Sequence, residues 1–380
     1  MSGKPDKLVT VSRPRPALVL SMVISAVGCA LAGLCYAEFA AMVPIAGSAY
    51  TYAYATNGEF VAWIIGGDLM LEYALGVSTV AVGWSGYFVS FMRDLGIQIP
   101  AALTAPMGTT VTTATGATVP GVFNLPAACI VAIVATLLVI GIKESANTNA
   151  ALVLIKSLVL CTVIYIAVAI VLTGIVSYTK LNVADPLAVG IDATGLHWLA
   201  PVVKVSALFG LFSTMLAQML GQTRIFFSMA TDGLLPRVFT RVHRRFRTPH
   251  VNTILTATVC ALVSGFTPIA VLGELVSIGT LLAFVLVCLG VVILRRTAPE
   301  AVRPFRTPWV PWVPAIGGLM CLAQMIGLPL ETWLRLLVWL VAGFAIYFLF
   351  GRRHAALVRG TRAGTPVQFP GAQLESGAVP

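Results

Sequence analysis

The stretch ESANTNAALVLIKSLVLCTVIYIAVAIVLTG, residues 144–174, decides the fold class of this chain. It passes from polar residues into a long apolar run that contains one cation, Lys156. About 20 apolar residues in a row are enough to cross the ~30 Å hydrocarbon core of a bilayer as a helix. Similar runs recur along the whole length, so the chain is predicted to be a membrane protein made of helices.

The composition supports this prediction. Of the 380 residues, 58% are hydrophobic and only 10% are charged, and the mean hydropathy is +0.94. The strands of a membrane β-barrel would alternate apolar and polar residues, whereas these runs are continuously apolar. We therefore expect an all-α polytopic membrane protein with about nine transmembrane helices. The predicted spans are 17–43, 61–91, 122–142, 151–175, 198–222, 252–268, 269–294, 308–328 and 332–350.

The formal net charge of +10 indicates a membrane topology rather than nucleic-acid binding. Most arginines lie in three segments that share one side if each span crosses once, and cytoplasmic loops are enriched in such cations. Lipid binding by the basic C-terminal tail is an alternative use of the last group. The groups are Arg224, Arg237, Arg241, Arg244, Arg245 and Arg247, then Arg295, Arg296, Arg303 and Arg306, then Arg352, Arg353, Arg359 and Arg362.

The N-terminal leader, residues 1–16, contradicts this topology. Nine spans and a cytoplasmic C-terminus place the leader outside, yet its cations favour the inside. Either the count of spans is off by one or a helix is missing. The first apolar run has no clear cleavage site, so a cleaved signal peptide is not expected. The four cations are Lys4, Lys7, Arg13 and Arg15.

Six acidic residues and lysines fall inside predicted spans, where charges are costly and often functional. Asp68 and Glu72 are four residues apart and share a helix face. Asp68 and Lys204 are predicted near span ends, where local pairing and a functional role are equally compatible with the pattern. The deeper pair, Glu72 and Lys156, favours a functional role, since a buried charge needs a partner or water. The six are Glu38, Asp68, Glu72, Lys156, Lys204 and Glu274.

The sequence carries no pattern of an enzyme or a metal site. All four histidines lie at or outside span ends, and H-E-x-x-H, G-x-S-x-G and P-loop patterns are missing. The seven cysteines lie in apolar runs without metal-ligand spacing, which predicts small buried side chains. We expect neither enzymatic activity nor a metal, a cofactor or a nucleic-acid partner.

Four motifs resemble a known family. GLCYAEFAAMVPIAGSAYTYAY, residues 33–54, resembles the second helix and following loop of amino acid permeases. GLFSTMLAQMLGQTRIFFSMATDGLLP, residues 210–236, resembles their eighth helix and cytoplasmic loop, and GELVSIGTLLAFVLVCLGVVILRR, residues 273–296, their tenth helix. With GDLMLEYALGVSTVAVGWSGYF, residues 67–88, they are similar to the cationic amino acid transporter branch of the amino acid, polyamine and organocation superfamily.

The resemblance implies an incomplete version of a twelve-helix fold with two inverted five-helix repeats. In that fold the first and sixth helices are broken at the bilayer midplane and hold the substrate. Residues 17–142 resemble family helices 2–4, and residues 176–350 resemble helices 8–12. Residues 143–175 resemble the start of helix 5 fused to helix 7, and residues 351–380 are predicted to be a disordered tail.

Helix 1, most of helix 5 and helix 6 of the family have no counterpart. No Ile-Gly-x-Gly-Ile-Phe type of sequence precedes residue 17, and the internal join falls near Lys156 and Ser157. Loss of two internal crossings preserves the orientation of all later spans. Loss of the first helix would explain the position of the leader.

Site residues follow from the resemblance where the helix exists. It implies substrate binding by Glu72 and by Thr214, Met215 and Gln218 on the eighth helix, although such polar residues also bond between helices. Lys156 matches a lysine that occupies the place of a sodium ion, and snorkelling is its alternative. Gate or structural roles are implied for Glu38, Pro44, Gly47, Ser48, Arg224 and Asp232.

The implied function is secondary active transport of an amino acid, coupled to protons and working by alternating access. Cationic, small neutral and polyamine substrates remain open. The implied location is a bacterial inner membrane, with lipid as the surrounding partner. The alternative is a non-transporting remnant of such a permease that inserts in the membrane but lacks the broken helices.

Overall fold

The computed structural model describes residues 15–42, 50–51, 53–54, 58–112, 118–141, 150–176, 181, 183–196, 198–297, 299–300 and 303–354. The helices are α1 Arg15–Met42, α2 Glu59–Asp94, α3 Leu125–Ile140, α4 Ala150–Ile175, α5 Pro186–Ala193, α6 Leu199–Thr231, α7 His250–Phe266, α8 Ile269–Thr297, α9 Trp312–Ile326, α10 Leu330–Ile346 and α11 Arg352–His354. Two 3₁₀ turns, Ala101–Leu103 and Arg237–Thr240, and a π turn, Tyr347–Gly351, complete them.

Each predicted span coincides with an apolar helix, which confirms an all-α polytopic membrane protein. Among the described residues, five helical segments are long and apolar enough to cross a membrane, and four shorter apolar helices accompany them. Many large apolar side chains are exposed along them, as expected of surfaces that face lipid. The five are Leu20–Met42, Glu59–Asp94, Leu199–Thr231, Ile269–Thr297 and Leu330–Gly351, and the four are Leu125–Ile140, Leu160–Ile175, His250–Phe266 and Trp312–Ile326.

A short hairpin stands in the loop between α2 and α3, where the sequence predicted no regular structure. Strands β1 Thr110–Thr112 and β2 Thr118–Pro120 pair antiparallel, with Val111 opposite Val119. Threonine and valine favour the extended backbone because their branched Cβ restricts the side chain in a helix. The hairpin is too short to change the fold class.

Helix α2 is the centre of the bundle. It packs against α3, α6, α7, α8 and α10. Glycines permit the closest approaches to α6: a Cβ at Gly66 would lie 2.8 Å from Met229 Sδ, and one at Gly76 would lie 3.0 Å from the Gln218 amide. Small residues at helix contacts are the usual device of membrane bundles, because close backbones maximise van der Waals contact.

Ion pairs mark the two ends of the bundle. At one end, which we name the inner end, Glu38 near the end of α1 binds Arg295 near the end of α8. At the other, the outer end, Asp94 at the end of α2 binds Lys204 near the start of α6. Arg303 also joins Glu38, so two arginines of the second predicted basic segment lie at the inner end, as the positive-inside rule expects of a cytoplasmic side.

Helix α4 is continuous through Lys156 and Ser157, the predicted join. It lies at the edge of the bundle against α1 and α5, and most of its described side chains from Leu160 onward are exposed. The side chains of residues 151–159 lie outside the described part, as do the backbones of residues 1–14 and 355–380, which include most of the leader and tail.

The expectation that all seven cysteines are buried is wrong for two of them. Cys129 on α3 and Cys161 on α4 are exposed. A thiol behaves as a small apolar group, so exposure to lipid carries little penalty. The buried cysteines are Cys35, Cys260, Cys288 and Cys321, and Cys29 is half-buried.

Candidate functional site

Four polar residues lie where α2 faces α6 and α8, and we name them the central polar strip. They are Asp68 and Glu72 on α2, Gln218 on α6 and Thr280 on α8. Buried polar groups between membrane helices are rare and are normally paired. Two of the four, Glu72 and Gln218, are residues that the sequence predicted for substrate binding.

Glu72 is half-buried and faces α8. Its Oε1 accepts a hydrogen bond of 3.1 Å from Thr280 Oγ1. The neighbouring Gly279 carries no side chain, and a Cβ there would lie 3.8 Å from both Cα and Cβ of Glu72. The glycine therefore lets the backbone of α8 approach α2 where the carboxylate leaves the helix.

Asp68 lies one turn before Glu72 and is 0% exposed. No described residue donates a hydrogen bond to either of its carboxyl oxygens. Because α2 rises 1.5 Å per residue, Asp68 lies roughly 14 Å from the first residue of the helix. Of the two alternatives left open for Asp68 and Lys204, local pairing finds no partner for Asp68 among the described residues, while Lys204 does pair locally.

The Gln218 side chain rests on α2 beside Gly76, one turn beyond Glu72. Both terminal atoms of its amide lie 3.0 Å from the place a Cβ at Gly76 would take. The amide oxygen Oε1 is buried, and no donor within the described residues reaches it. An unsatisfied buried acceptor costs about 1–3 kcal/mol, so the strip holds unused hydrogen-bonding capacity.

The other two predicted substrate residues on α6 lie outside this strip. Thr214 is exposed, and its Oγ1 donates 2.9 Å to the carbonyl of Gly210 in its own helix. Met215 is 0% exposed and belongs to the apolar core. Positions three and four residues apart share a helix face, so the sequence spacing did not distinguish these residues from Gln218; their different burial comes from the packing of α6.

Glu38, one of the predicted gate or structural residues, lies at the inner end. Glu38 is 0% exposed, and Arg295 donates from Nε at 3.0 Å and from Nη2 at 2.8 Å. Arg303 Nε lies 3.3 Å from Glu38 Oε1, and the Thr307 N–H donates to Oε2 at 2.8 Å. The carboxylate thus joins α1, α8 and the loop after α8 into one unit, and such forked guanidinium contacts are geometrically specific.

A second inner-end contact fixes the end of α6. Tyr50 Oη donates 2.6 Å to Asp232 Oδ2, directly after the helix. Burial raises the pKa of Asp232 above its ordinary value, and the hydrogen bond from Tyr50 opposes that shift. Burial likewise raises the pKa of Tyr50, with the negative charge of Asp232 as a further cause. Both causes raise the pKa of Tyr50, so the tyrosine stays protonated and donates this hydrogen bond.

Five predicted residues are less defined. Arg224 is exposed near the C-terminal end of α6. Gly47, together with Pro44 and Ser48, falls in residues 43–49, outside the described part. Lys156 lies in α4, but its side chain is outside that part as well.

The outer end carries a charge cluster whose acids the sequence did not single out. Lys204 Nζ lies 2.6 Å from Asp94 Oδ2 and 3.0 Å from Asp192 Oδ1, and the lysine side chain is 0% exposed. The aspartates come from the end of α2 and from α5. Their proximity could not be predicted because the contact spans 110 residues of sequence.

A bundle of apolar helices around sequestered charges is the architecture of a polytopic membrane transporter. The comparisons agree. The model of the family described as amino acid permease matches residues 4–161 and 143–350, and the chain belongs to this family. As its relatives are transporters, the chain belongs with permeases rather than enzymes.

Three relatives illustrate the range of the family. The chain is 37% identical to the methylthioribose transporter and 36% identical to the branched-chain amino acid permease BcaP, both of Bacillus subtilis (strain 168). Each alignment covers 90% of this chain and 87% of the relative. The vacuolar cationic amino acid transporter 4 of Arabidopsis thaliana is 29% identical over 77% of this chain and 60% of its own length.

The alignments also locate an irregularity in the middle of the chain. The two family matches overlap at residues 143–161, around the predicted join. The alignment with the methylthioribose transporter runs over 410 positions, although 90% of 380 residues is only about 342. Roughly 70 aligned positions of that relative therefore have no residue in this chain.

Proposed function

We propose that this protein is a secondary active permease that binds an amino acid at the central polar strip. The observation that carries the proposal is that two polar groups lie at successive turns of α2. One is the half-buried carboxylate of Glu72, and the other is the unused amide oxygen of Gln218 on α6, beside Gly76. A carboxylate attracts the ammonium group that all amino acids share, and an amide oxygen accepts one of its N–H bonds.

The preferred substrates under this proposal are amino acids with small or branched apolar side chains. Similarity to a branched-chain permease at 36% identity supports this choice over the cationic transporter at 29%. Cationic amino acids and methylthioribose are the competing substrates that the same experiment decides. We place the protein in the cell membrane of a bacterium, with an inward proton gradient as the driving force and lipid around the exposed apolar helices.

Uptake into proteoliposomes tests the proposal. Labelled leucine, valine, alanine, arginine and methylthioribose are offered with and without an inward proton gradient. We expect saturable uptake of leucine or valine that falls at least about tenfold in Glu72→Gln, since that change removes one charge-assisted contact. Glu331→Gln is the matched control, because this carboxylate is exposed at the outer end.

A different outcome would redirect the proposal. Undiminished uptake in Glu72→Gln would remove the strip from the binding site. Uptake of arginine alone would assign the chain to cationic substrates. Uptake of methylthioribose alone would replace amino acids as the substrate class.

A second candidate function is a membrane-inserted remnant that does not transport. The observation in its favour is the set of roughly 70 missing positions together with the overlap of the family matches at residues 143–161. That length is enough for two membrane helices and their loops. It matches the predicted loss of most of family helix 5 and all of helix 6.

Grafting tests the remnant directly. The segment of BcaP that has no counterpart here is inserted between Lys156 and Ser157. If the chain is a remnant, the parent is inert and the graft gains uptake, while a graft of the same length with scrambled apolar sequence stays inert. Uptake by the parent chain at a rate equal to the graft would reject this candidate.

A further inference from the structure

Asp68 is a buried carboxyl group that lacks the partners other buried charges of this chain possess. Glu38 is equally buried but binds two arginines, and Lys204 binds two aspartates. Neither oxygen of Asp68 has a hydrogen-bond donor among the described residues. Asp68 therefore requires a hydrogen-bonding or neutralising partner that the described residues do not supply.

The titratable side chains near Asp68 are a carboxyl group, two phenols and a thiol. Glu72, one turn along α2, is its nearest acidic neighbour, and Thr280 opposite is already engaged by Glu72. Tyr36 on α1 and Tyr73 on α2 are the other titratable groups of this region, with Cys288 on α8 beyond Tyr36.

Helix α8 faces Asp68 with Gly279, which has no side chain. A Cβ on Gly279 would lie 3.9 Å from Asp68 Oδ1, an ordinary contact distance. A methyl group would therefore fit beside the carboxyl without a clash. A metal ion that keeps its hydration shell needs more room, whereas a proton bonded to the carboxyl oxygen needs none.

Electrostatics also favours a proton at Asp68. A carboxylate without donors in an apolar interior is strongly disfavoured, and a second carboxylate on the same helix face adds repulsion. A proton on one of the two oxygens removes both penalties, as in pairs of carboxyl groups that share one proton. Chains of acidic residues inside membrane proteins commonly carry protons for this reason.

We propose that Asp68 and Glu72 form a proton site in which Asp68 is the buried holder and Glu72 the half-exposed exchanger. In the exchange step the O–H bond of Asp68 breaks, its proton forms an O–H bond on the Glu72 carboxylate, and the negative charge moves to Asp68. Occupancy by a proton does not depend on transport, while a role in coupling rests on the proposed function.

Infrared spectroscopy of the full chain in liposomes tests occupancy without any transport. At neutral pH we expect the C=O stretch of a protonated carboxylic acid that shifts on labelling aspartate side chains with ¹³C. The band is lost in Asp68→Asn and retained in Asp94→Asn, an aspartate of the same helix that binds Lys204. The absence of a shifted acid band in the wild type would overturn the proposal.

Two further measurements cover a variant that fails to insert and a metal cation as the occupant. If Asp68→Asn does not insert, Gly279→Ala replaces it, and the added methyl beside Asp68 Oδ1 is expected to move the band. A band that stays unmoved would overturn the assignment to Asp68. Replacing choline by sodium in the buffer distinguishes the occupant, since loss of the band in sodium would identify a metal cation instead of a proton.

The coupling role has its own readout in the uptake assay. The ratio of uptake with a proton gradient to uptake without one is expected to fall to about one in Asp68→Asn and to be kept in Asp94→Asn. A ratio unchanged in Asp68→Asn would overturn the coupling role. A wild type without uptake would defeat the proposed function and the coupling role, while the infrared result would still decide the proton site.

Discussion

Glu38 and Asp68 are both carboxyl groups of membrane-spanning helices with 0% of their surface exposed, yet their environments are opposite. Glu38 lies 2.8 Å from Arg295 and 3.3 Å from Arg303, and it joins three parts of the inner end. Asp68 has no described donor, and its acidic neighbour Glu72 repels it when both are ionised. Burial alone therefore does not reveal the role of a charge, whereas its partners do.

The comparison separates structural from functional charges in this bundle. Removing one partner of a buried ion pair is destabilising, because the charge that remains is neither paired nor hydrated. An unpaired one costs stability in the native protein, so its retention needs a reason other than folding. Substitutions at the two sites should consequently have opposite effects on stability.

The largest expected effect comes from Arg295→Ala. The change leaves Glu38 with Arg303 and the Thr307 N–H, so we expect a loss of about 3 kcal/mol, the low end for a broken buried pair. Thermal unfolding in detergent, followed by tryptophan fluorescence, measures it. Arg335→Ala is the control, since its pairs with Glu274 and Glu331 are partly exposed and are worth less than about 1 kcal/mol.

A second substitution shows whether the loss is electrostatic. Adding Glu38→Gln to Arg295→Ala should recover part of the stability, because it removes the charge that the first change left under-compensated. If the two losses simply add, packing of the arginine stem rather than the ion pair explains the effect.

Asp232 is an intermediate case with one strong donor, Tyr50. Tyr50→Phe removes a 2.6 Å hydrogen bond to a carboxylate, and we expect a loss of about 1.5–3 kcal/mol at neutral pH. Urea or thermal unfolding of the two proteins under identical conditions gives the difference. A loss as large as that of Arg295→Ala would contradict the ranking by number of partners.

The pH dependence of the same site has a definite sign. Burial raises the pKa of Asp232 in the folded protein, so the folded state binds more protons between the ordinary and the raised value. The contribution of Asp232 to stability is therefore fully present below its ordinary pKa and is lost as pH rises through the raised one. Asp232→Asn should flatten this slope, and a melting-temperature series across acidic pH measures it.

Asp68→Asn should change stability little, or raise it by up to about 1 kcal/mol. The amide has the shape of the carboxyl group and is neutral without taking up a proton, so it avoids the cost of protonating a carboxyl group at neutral pH as well as the cost of a buried charge. Glu38→Gln, measured alongside, should lower stability. If Asp68→Asn destabilises the protein as much as Glu38→Gln, Asp68 has a structural partner and the contrast between the two sites fails.

The sequence predicted the fold class because hydropathy acts locally along each helix. Every predicted span has its helix, whereas the substrate-binding roles of Glu72 and Gln218 stay predictions. The partners of Glu38 were not predictable, since Arg295 is 257 residues away and only packing brings it near. The isolation of Asp68 was missed for the same reason, because a missing partner is a property of the packed bundle.

The smallest expected effect belongs to Glu331→Gln, and it calibrates the comparison. The Glu331 side chain is 80% exposed, and its contact with Arg335 is a surface pair one helix turn apart. Water and salt screen such a pair, so neither the melting temperature nor uptake should change beyond experimental scatter. A stability shift as large as that of Asp68→Asn would show that loss of any negative charge from this cationic protein has that effect. In that event the response at Asp68 would report net charge, and only the infrared band could assign the proton to its niche.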